Sequence, residues 1–133
     1  MRLVADASAL AEYVLSAPRA RLFALRIEHA EADLHAPELC DLEIASSVTG
    51  ALRAGRLTAQ RAAELLEDYL ELPLVLHEHR PLLPRVLELW TNFSAYDAAY
   101  VALAETLKAP LLTADEALAR ATRAHTNVEV VAP

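Results

Sequence analysis

Glycine and cysteine are scarce in this sequence of 133 residues, which contains two glycines and one cysteine. Two glycines are too few for the Walker phosphate-binding loop or for the glycine fingerprint of dinucleotide-binding domains. A single cysteine excludes an intramolecular disulfide and any zinc site that is built from several cysteines. The sequence therefore excludes nucleotide-binding folds of those two kinds and a disulfide framework.

Long apolar runs and an excess of positive charge are also absent. Charged residues interrupt every apolar run well before the ~18 consecutive positions of a membrane-spanning helix, and the start lacks a signal peptide's apolar region. We therefore expect a single cytoplasmic domain covering residues 1–133. Nineteen acidic residues against twelve basic ones give a net charge of −7, which argues against broad basic docking on nucleic acid. A polyanionic substrate would need help from arginines or metal ions.

Short apolar runs alternate with helical periodicities along the chain. The runs predict strands at residues 2–5, 74–77, 110–113 and 128–131, with 34–37 as a further candidate. The periodicities predict helices at residues 8–15, 19–31, 38–54, 58–72, 81–90, 94–107 and 116–123. This alternation predicts an α/β sandwich with a largely parallel central sheet.

Two helical faces are expected to be apolar. Cys40 shares a stripe with Ile44 and Val48, so we interpret it as a buried small hydrophobic residue rather than a nucleophile. The helix at 58–72 has Thr58 as its predicted cap. Its predicted core face consists of Ala62, Leu65, Leu66, Tyr69 and Leu70.

Four acidic residues from separate segments could meet at one edge of the sheet. Asp6 and Asp115 each follow a predicted strand, and functional crevices of open parallel sheets lie beyond the carboxyl ends of the strands. Asp97 falls in the first turn of the helix at 94–107. Glu43 lies on a small-residue stripe with Ser47. The pattern predicts that these four carboxylates converge.

Each acid also has a purely structural explanation. Ser94 and Asp97 have capping-box spacing, as do Thr113 and Glu116, and acids in a first turn stabilise a helix without any catalytic role. Asp6 could cap the first helix, and Glu43 could be a solvated surface acid. The combination of the four favours a site more strongly than any one of them.

Four stretches of the sequence, taken in order, resemble PIN-domain ribonucleases, and most closely the VapC-type toxins of toxin–antitoxin pairs. They are VADAS at 4–8, APELCDLEIA at 36–45, NFSAYDAAYVALAE at 92–105 and LLTADEALA at 111–119. The resemblance spans almost the whole chain. It implies a PIN-like α/β/α sandwich with a short, largely parallel central sheet.

The resemblance also implies an activity and a set of site residues. The family's metal-site acids correspond to Asp6, Glu43, Asp97 and Asp115, with Thr113 and Ser8 as supporting hydroxyls. Asp6 and Asp97 would bind Mg²⁺ or Mn²⁺, and Glu43 and Asp115 would do so directly or through water. The implied reaction is RNA hydrolysis by metal-activated water, leaving a 5′-phosphate and a 3′-hydroxyl. The implied partners are a cognate antitoxin and a second copy of the chain.

Two other functions remain open at this point. The chain could be a catalytically silent binding module with PIN architecture. It could also be an aspartate-based phosphotransfer domain, since Asp6 follows the first strand. That class usually needs a lysine at another strand end, and the only lysine, Lys108, precedes its strand.

Several basic side chains have no assigned role. His77 and His79 alternate along a strand, but no third metal ligand is evident. Arg53, Arg56 and Arg61 cluster around the turn between two helices and could contact RNA or an antitoxin. Solvent-exposed surface is the default interpretation for both groups.

Overall fold

A central parallel sheet organises the protein, whose computed structural model describes residues 1–15, 17 and 19–133. In this part of the chain the sheet has five strands in the order β3-β2-β1-β4-β5. The strands are β1 (Arg2–Ala5), β2 (Asp33–Pro37), β3 (Leu74–His77), β4 (Leu111–Leu112) and β5 (Val130–Val131). All four pairings are parallel. The sequence-based prediction of an α/β sandwich with a parallel sheet is confirmed.

Helices connect the strands and cover the sheet. They are α1 (Ala7–Val14), α2 (Ala20–Ile27), α3 (Leu39–Arg53), α4 (Ala59–Glu71), α5 (Leu83–Glu88), α6 (Ala95–Leu107) and α7 (Glu116–His125). A 3-10 turn at Arg80–Leu82 precedes α5. None of the helices in the described ranges combines the length and apolar character that crossing a bilayer requires.

The core lies around β1 and α6. Leu3, Val4 and Ala5 are fully buried, as expected for a parallel strand that is covered on both faces. In α6 every residue from Ala98 to Ala104 is buried, and the helix contacts β1, β2 and β4. The small alanines of α6 allow the helix to approach the sheet closely, and Asp97 lies in its first turn.

Several predicted boundaries and faces were wrong. The second helix ends at Ile27 rather than near residue 31, because the chain turns at 28–32. The helix predicted at 81–90 is divided into the 3-10 turn and α5, with Pro84 in the first turn of α5. On α4, Leu66 and Leu70 are exposed, at 44% and 67%, because only one side of that helix meets α1 and α3.

Candidate active site

Four acidic side chains line one open cavity at the carboxyl ends of the strands. Asp6 directly follows β1, and Asp115 lies three residues beyond the end of the adjacent strand β4. Glu43 comes from α3, and Asp97 comes from the first turn of α6. The cavity has a volume of about 320 Å³ and is also lined by Ala7, Ser8, Ser46, Ser47 and Tyr100. Four segments that are distant in sequence therefore contribute carboxylates to one site.

Asp6 is the most buried of the four acids and is held by three hydrogen bonds. Its Oδ1 accepts from the Ser8 hydroxyl at 2.6 Å and from the Ala9 N–H at 3.0 Å, which makes Asp6 the N-cap of α1. Its Oδ2 accepts from the Thr113 hydroxyl at 2.8 Å. Burial nevertheless raises the pKa of Asp6 to about 6, with a further contribution from the charge of Asp115. Burial in the site therefore disfavours the ionised form of the Asp6 carboxyl group.

Thr113 and Ser8 tie the ends of β1 and β4 together. Besides donating to Asp6, Thr113 Oγ1 accepts from the Asp115 N–H at 3.0 Å. Ser8 Oγ accepts from the Ala114 N–H at 2.9 Å. Both hydroxyls therefore link the Asp6 segment to the Asp115 segment, as a supporting role would require.

Glu43 and Asp97 face the same cavity from different helices. Burial raises the pKa of Glu43, and the charge of Asp97 raises it further. Burial also raises the pKa of Asp97, and the negative charge of Asp115 raises it further. Ionising these carboxylates together is unfavourable because they repel one another in a partly desolvated site.

The helix-capping explanations hold for some of these acids and not for others. Ser94, not Asp97, caps α6, since Ser94 Oγ accepts from the Asp97 N–H at 3.1 Å. Asp115 caps α7 by accepting from the Ala117 and Leu118 N–H groups at 2.9 and 3.1 Å. The predicted capping box from Thr113 to Glu116 is wrong, because Asp115 itself is the N-cap. Asp6 and Asp115 thus both cap a helix and line the cavity.

Tyr100, Ser46 and Ser47 line the cavity but were not assigned to the site from sequence. Tyr100 Oη donates a hydrogen bond to Glu43 Oε1 at 2.6 Å. Its position three residues after Asp97 puts both side chains on neighbouring parts of one helix surface, but nothing in the sequence distinguishes it from the other buried residues of that helix. Ser47 was noted beside Glu43 on the small-residue stripe, and the structure brings both to the cavity.

The remaining polar candidates have other neighbours. His77 Nε2 lies 2.7 Å from His35 Nδ1 on the adjacent strand, and His79 Nε2 accepts from the Leu39 N–H at 3.0 Å. Arg61 forms an exposed ion pair with Glu64 at 3.2 Å. Of the arginine cluster, Arg56 lines a separate groove between α1, α3 and α4. These residues contribute nothing to the acidic cavity.

Cys40 is fully buried and does not line the cavity. Burial raises the pKa of its thiol to about 11, so the thiol stays protonated at neutral pH. A protonated, inaccessible thiol is a poor nucleophile. These properties fit the interpretation of Cys40 as a structural residue.

Replacing Thr113 by Val is expected to destabilise the protein by about 1–3 kcal/mol, because Asp6 Oδ2 and the Asp115 N–H would both lose a buried partner. Thr122→Val is the matched control. Thr122 is equally buried, but its hydroxyl donates only to the Leu118 carbonyl within α7, so we expect a smaller loss, of about 0.5–1 kcal/mol. Urea unfolding measures both, and equal losses would contradict the assigned role of Thr113.

Comparison with known families identifies the class of protein. The PIN domain model matches residues 3–124. VapC ribonuclease Mb0985 of Mycobacterium bovis is 36% identical over 129 residues, covering 97% of this chain and 98% of the relative. Ribonuclease VapC12 of Mycobacterium tuberculosis is 31% identical over 130 residues, covering 98% of this chain and 99% of the relative. The chain belongs to the PIN-domain family and, within it, to the VapC ribonucleases.

Solved structures show the same fold at lower sequence identity. The crystal structure of PAE2754 from Pyrobaculum aerophilum has a TM-score of 0.74 at 24% identity, covering 98% of this chain and 83% of that one. That of VapBC2 from Rickettsia felis, bound to a DNA fragment from their promoter, has a TM-score of 0.73 at 12% identity, covering 99% and 98%. The predicted PIN-like α/β/α sandwich is therefore confirmed.

Proposed function

We propose that this chain is a metal-dependent endoribonuclease, the toxin of a type II toxin–antitoxin pair, which hydrolyses phosphodiester bonds of RNA. The observation that carries the proposal is the convergence of Asp6, Glu43, Asp97 and Asp115 on one cavity. Membership among the VapC ribonucleases supports RNA as the substrate. A cytoplasmic place of action is part of the proposal, since RNA is the substrate.

The donor atoms of the cavity suit a hard divalent cation such as Mg²⁺ or Mn²⁺. Carboxylate oxygens are the preferred ligands of such ions, and a cation would relieve the repulsion that raises the pKa of Glu43 and Asp97. Within residues 1–15, 17 and 19–133, no group of three His, Cys, Asp or Glu side chains is arranged to hold an ion. Mg²⁺ commonly uses one or two carboxylates and keeps several waters. We therefore assign it to Asp6 and Asp97, with Glu43 and Asp115 binding directly or through water.

The proposed reaction transfers a phosphoryl group from a ribose oxygen to water. When bound, the ion would polarise the phosphate and lower the pKa of the attacking water. The water oxygen joins phosphorus, the bond to the 3′ oxygen breaks, and the 3′ oxygen receives a proton. The products are a 5′-phosphate and a 3′-hydroxyl. Where Glu43 binds the ion through water, its carboxylate would accept the proton of the attacking water, while Ser8 and Thr113 hold Asp6 in place.

A cognate antitoxin and a second copy of the chain are the proposed protein partners. VapC family membership supports the antitoxin. Exposed leucines on α4, among them Leu66 and Leu70, are consistent with a protein contact. Molecular mass in solution, with and without the co-expressed antitoxin, tests both partners.

Cleavage of a mixed RNA pool tests the proposed activity. We expect cleavage with Mg²⁺ or Mn²⁺, none with EDTA, and new 5′ ends that carry phosphate. Asp6→Asn should remove the activity, whereas Asp68→Asn, at an exposed position on α4 outside the cavity, should not. Absence of metal-stimulated cleavage by the unaltered protein would leave the silent binding module as the better description.

The phosphotransfer alternative makes a different prediction. It requires an aspartyl-phosphate on Asp6, which would be visible as an acid-stable, base-labile phosphoprotein. Lys108, the residue on which that mechanism would depend, caps the C-terminus of α6 and precedes β4, so it lies at the opposite end of the sheet from the cavity. We therefore expect no phosphoprotein.

A further inference from the structure

We propose that Tyr100 is a positioning residue that holds the Glu43 carboxylate in the orientation needed for divalent-cation binding. The inference rests on the proposed function, since it assigns a role within the same cavity. Tyr100 contacts Glu43 and is itself buried. Its hydroxyl is bonded to Glu43, so we assign Tyr100 a role that acts through that carboxylate.

The contact between Tyr100 and Glu43 joins two helices at the cavity. Tyr100 Oη, on α6, donates to Glu43 Oε1, on α3, at 2.6 Å. The Tyr100 side chain is 2% exposed, whereas Glu43 is only half-buried. Burial raises the pKa of the Tyr100 phenol, and its hydroxyl is the donor in this hydrogen bond because an ionised carboxylate can only accept.

Among the residues that the structure describes, Glu43 lacks the backbone hydrogen bonds that restrain two other acids of the cavity. Asp6 and Asp115 are fixed by backbone N–H groups at helix starts. Glu43 lies within α3, where the backbone N–H groups are already paired, and its longer side chain has more rotatable bonds. The Tyr100 hydroxyl supplies the one hydrogen bond to its carboxylate in the part of the chain that the structure describes.

The position of Tyr100 in α6 also couples Glu43 to Asp97. The two residues are three positions apart in the same helix, so their side chains emerge from adjacent parts of its surface. A rigid helix therefore supplies Asp97 and fixes Glu43 at the same time. Partners that orient metal-binding side chains reduce the reorganisation needed when the ion binds, and their loss commonly weakens binding about 10–100-fold.

Tyr69 provides a matched control within the same chain. It is also buried, at 4% exposure, and its hydroxyl also donates at 2.6 Å to an acid of α3, in this case Asp41 Oδ1. Both tyrosines lie against Cys40. Asp41 does not line the cavity. The two tyrosines therefore differ chiefly in which carboxylate they hold.

The test compares Tyr100→Phe with Tyr69→Phe. Each substitution keeps the ring and removes one buried hydroxyl, so similar losses of stability in urea are expected. Calorimetric titration of the RNA-free protein with Mn²⁺ should show about tenfold weaker binding for Tyr100→Phe and unchanged binding for Tyr69→Phe. With RNA at subsaturating Mn²⁺, Tyr100→Phe should lower kcat with KM for RNA unchanged, and excess Mn²⁺ should restore much of the loss.

Glu43→Gln supplies the second measurement. If Tyr100 acts only through the Glu43 carboxylate, adding Tyr100→Phe to Glu43→Gln should weaken Mn²⁺ binding no further. Equal Mn²⁺ affinities of Tyr100→Phe and Tyr69→Phe, or additive losses in the double variant, would overturn the positioning role while leaving the ribonuclease proposal intact. Failure of the unaltered protein to bind Mn²⁺ or to cleave RNA would overturn both.

Discussion

Asp97→Asn is expected to lower RNA cleavage per folded molecule by about 100-fold or more, while leaving the metal-free protein at least as stable as the unaltered one. The carboxylate of Asp97 lines the cavity, and burial together with the charge of Asp115 raises its pKa. Removing that charge relieves repulsion in the empty cluster. Activity falls because a cation loses one of its assigned ligands. Thermal melts in EDTA and cleavage of an RNA pool in Mg²⁺ measure the two effects separately.

Ser94→Ala is the control that distinguishes helix capping from catalysis. Ser94 Oγ accepts from the Asp97 N–H and caps α6, so its loss should cost about 1 kcal/mol of stability. Ser94 also hydrogen-bonds the Asp97 side chain, so cleavage per folded molecule should fall, but far less than for Asp97→Asn. If Asp97→Asn instead behaved like Ser94→Ala, with weakened folding and largely retained cleavage, Asp97 would be a helix-start residue without a catalytic role.

Much of the fold was predictable because burial leaves a periodic signal. The run at Arg2–Ala5 is short and apolar, and it became the central strand β1. Ser94 preceding a long helical pattern marked the start of α6 correctly. Periodicity carries no information about which partner covers a helix, however. Leu66 and Leu70 continue the apolar pattern of α4 and are nevertheless exposed.

The site was predictable only as far as strand ends and helix starts reveal it. Asp6 and Asp115 could be placed at one edge because adjacent parallel strands end together. The sequence left open whether Asp97 caps its helix, since that depends on whether Ser94 or Asp97 makes the capping bond. Tyr100 could not be identified from sequence, because a tyrosine among the buried residues of α6 resembles ordinary core until the position of α3 is known.

The second large effect concerns the pH dependence of stability in the absence of metal. Burial holds the pKa of Asp6 at about 6 in the folded protein, against an ordinary value of 3.8, and that difference corresponds to about 3 kcal/mol. Well below pH 3.8, Asp6 is protonated in both the folded and the unfolded chain, and it makes no pH-dependent difference. Between pH 4 and 6 the folded protein retains the proton that the unfolded chain releases, so the folded state loses stability as the pH rises. Above the folded pKa the loss is complete and the curve becomes flat.

Comparison with Asp6→Asn isolates this contribution. We expect the unfolding free energy of the unaltered protein, relative to Asp6→Asn, to fall by about 2 kcal/mol between pH 4 and pH 7 in EDTA. Only the pH dependence is compared, so a constant change from altered hydrogen bonds to Ser8, Ala9 and Thr113 cancels. Urea unfolding at intervals of one pH unit gives the curve, and added Mg²⁺ should flatten it by favouring the ionised carboxylate. A flat curve in EDTA would mean that those three hydrogen bonds fully offset the burial of Asp6, and the cavity would then hold its carboxylate without a desolvation cost for a cation to relieve.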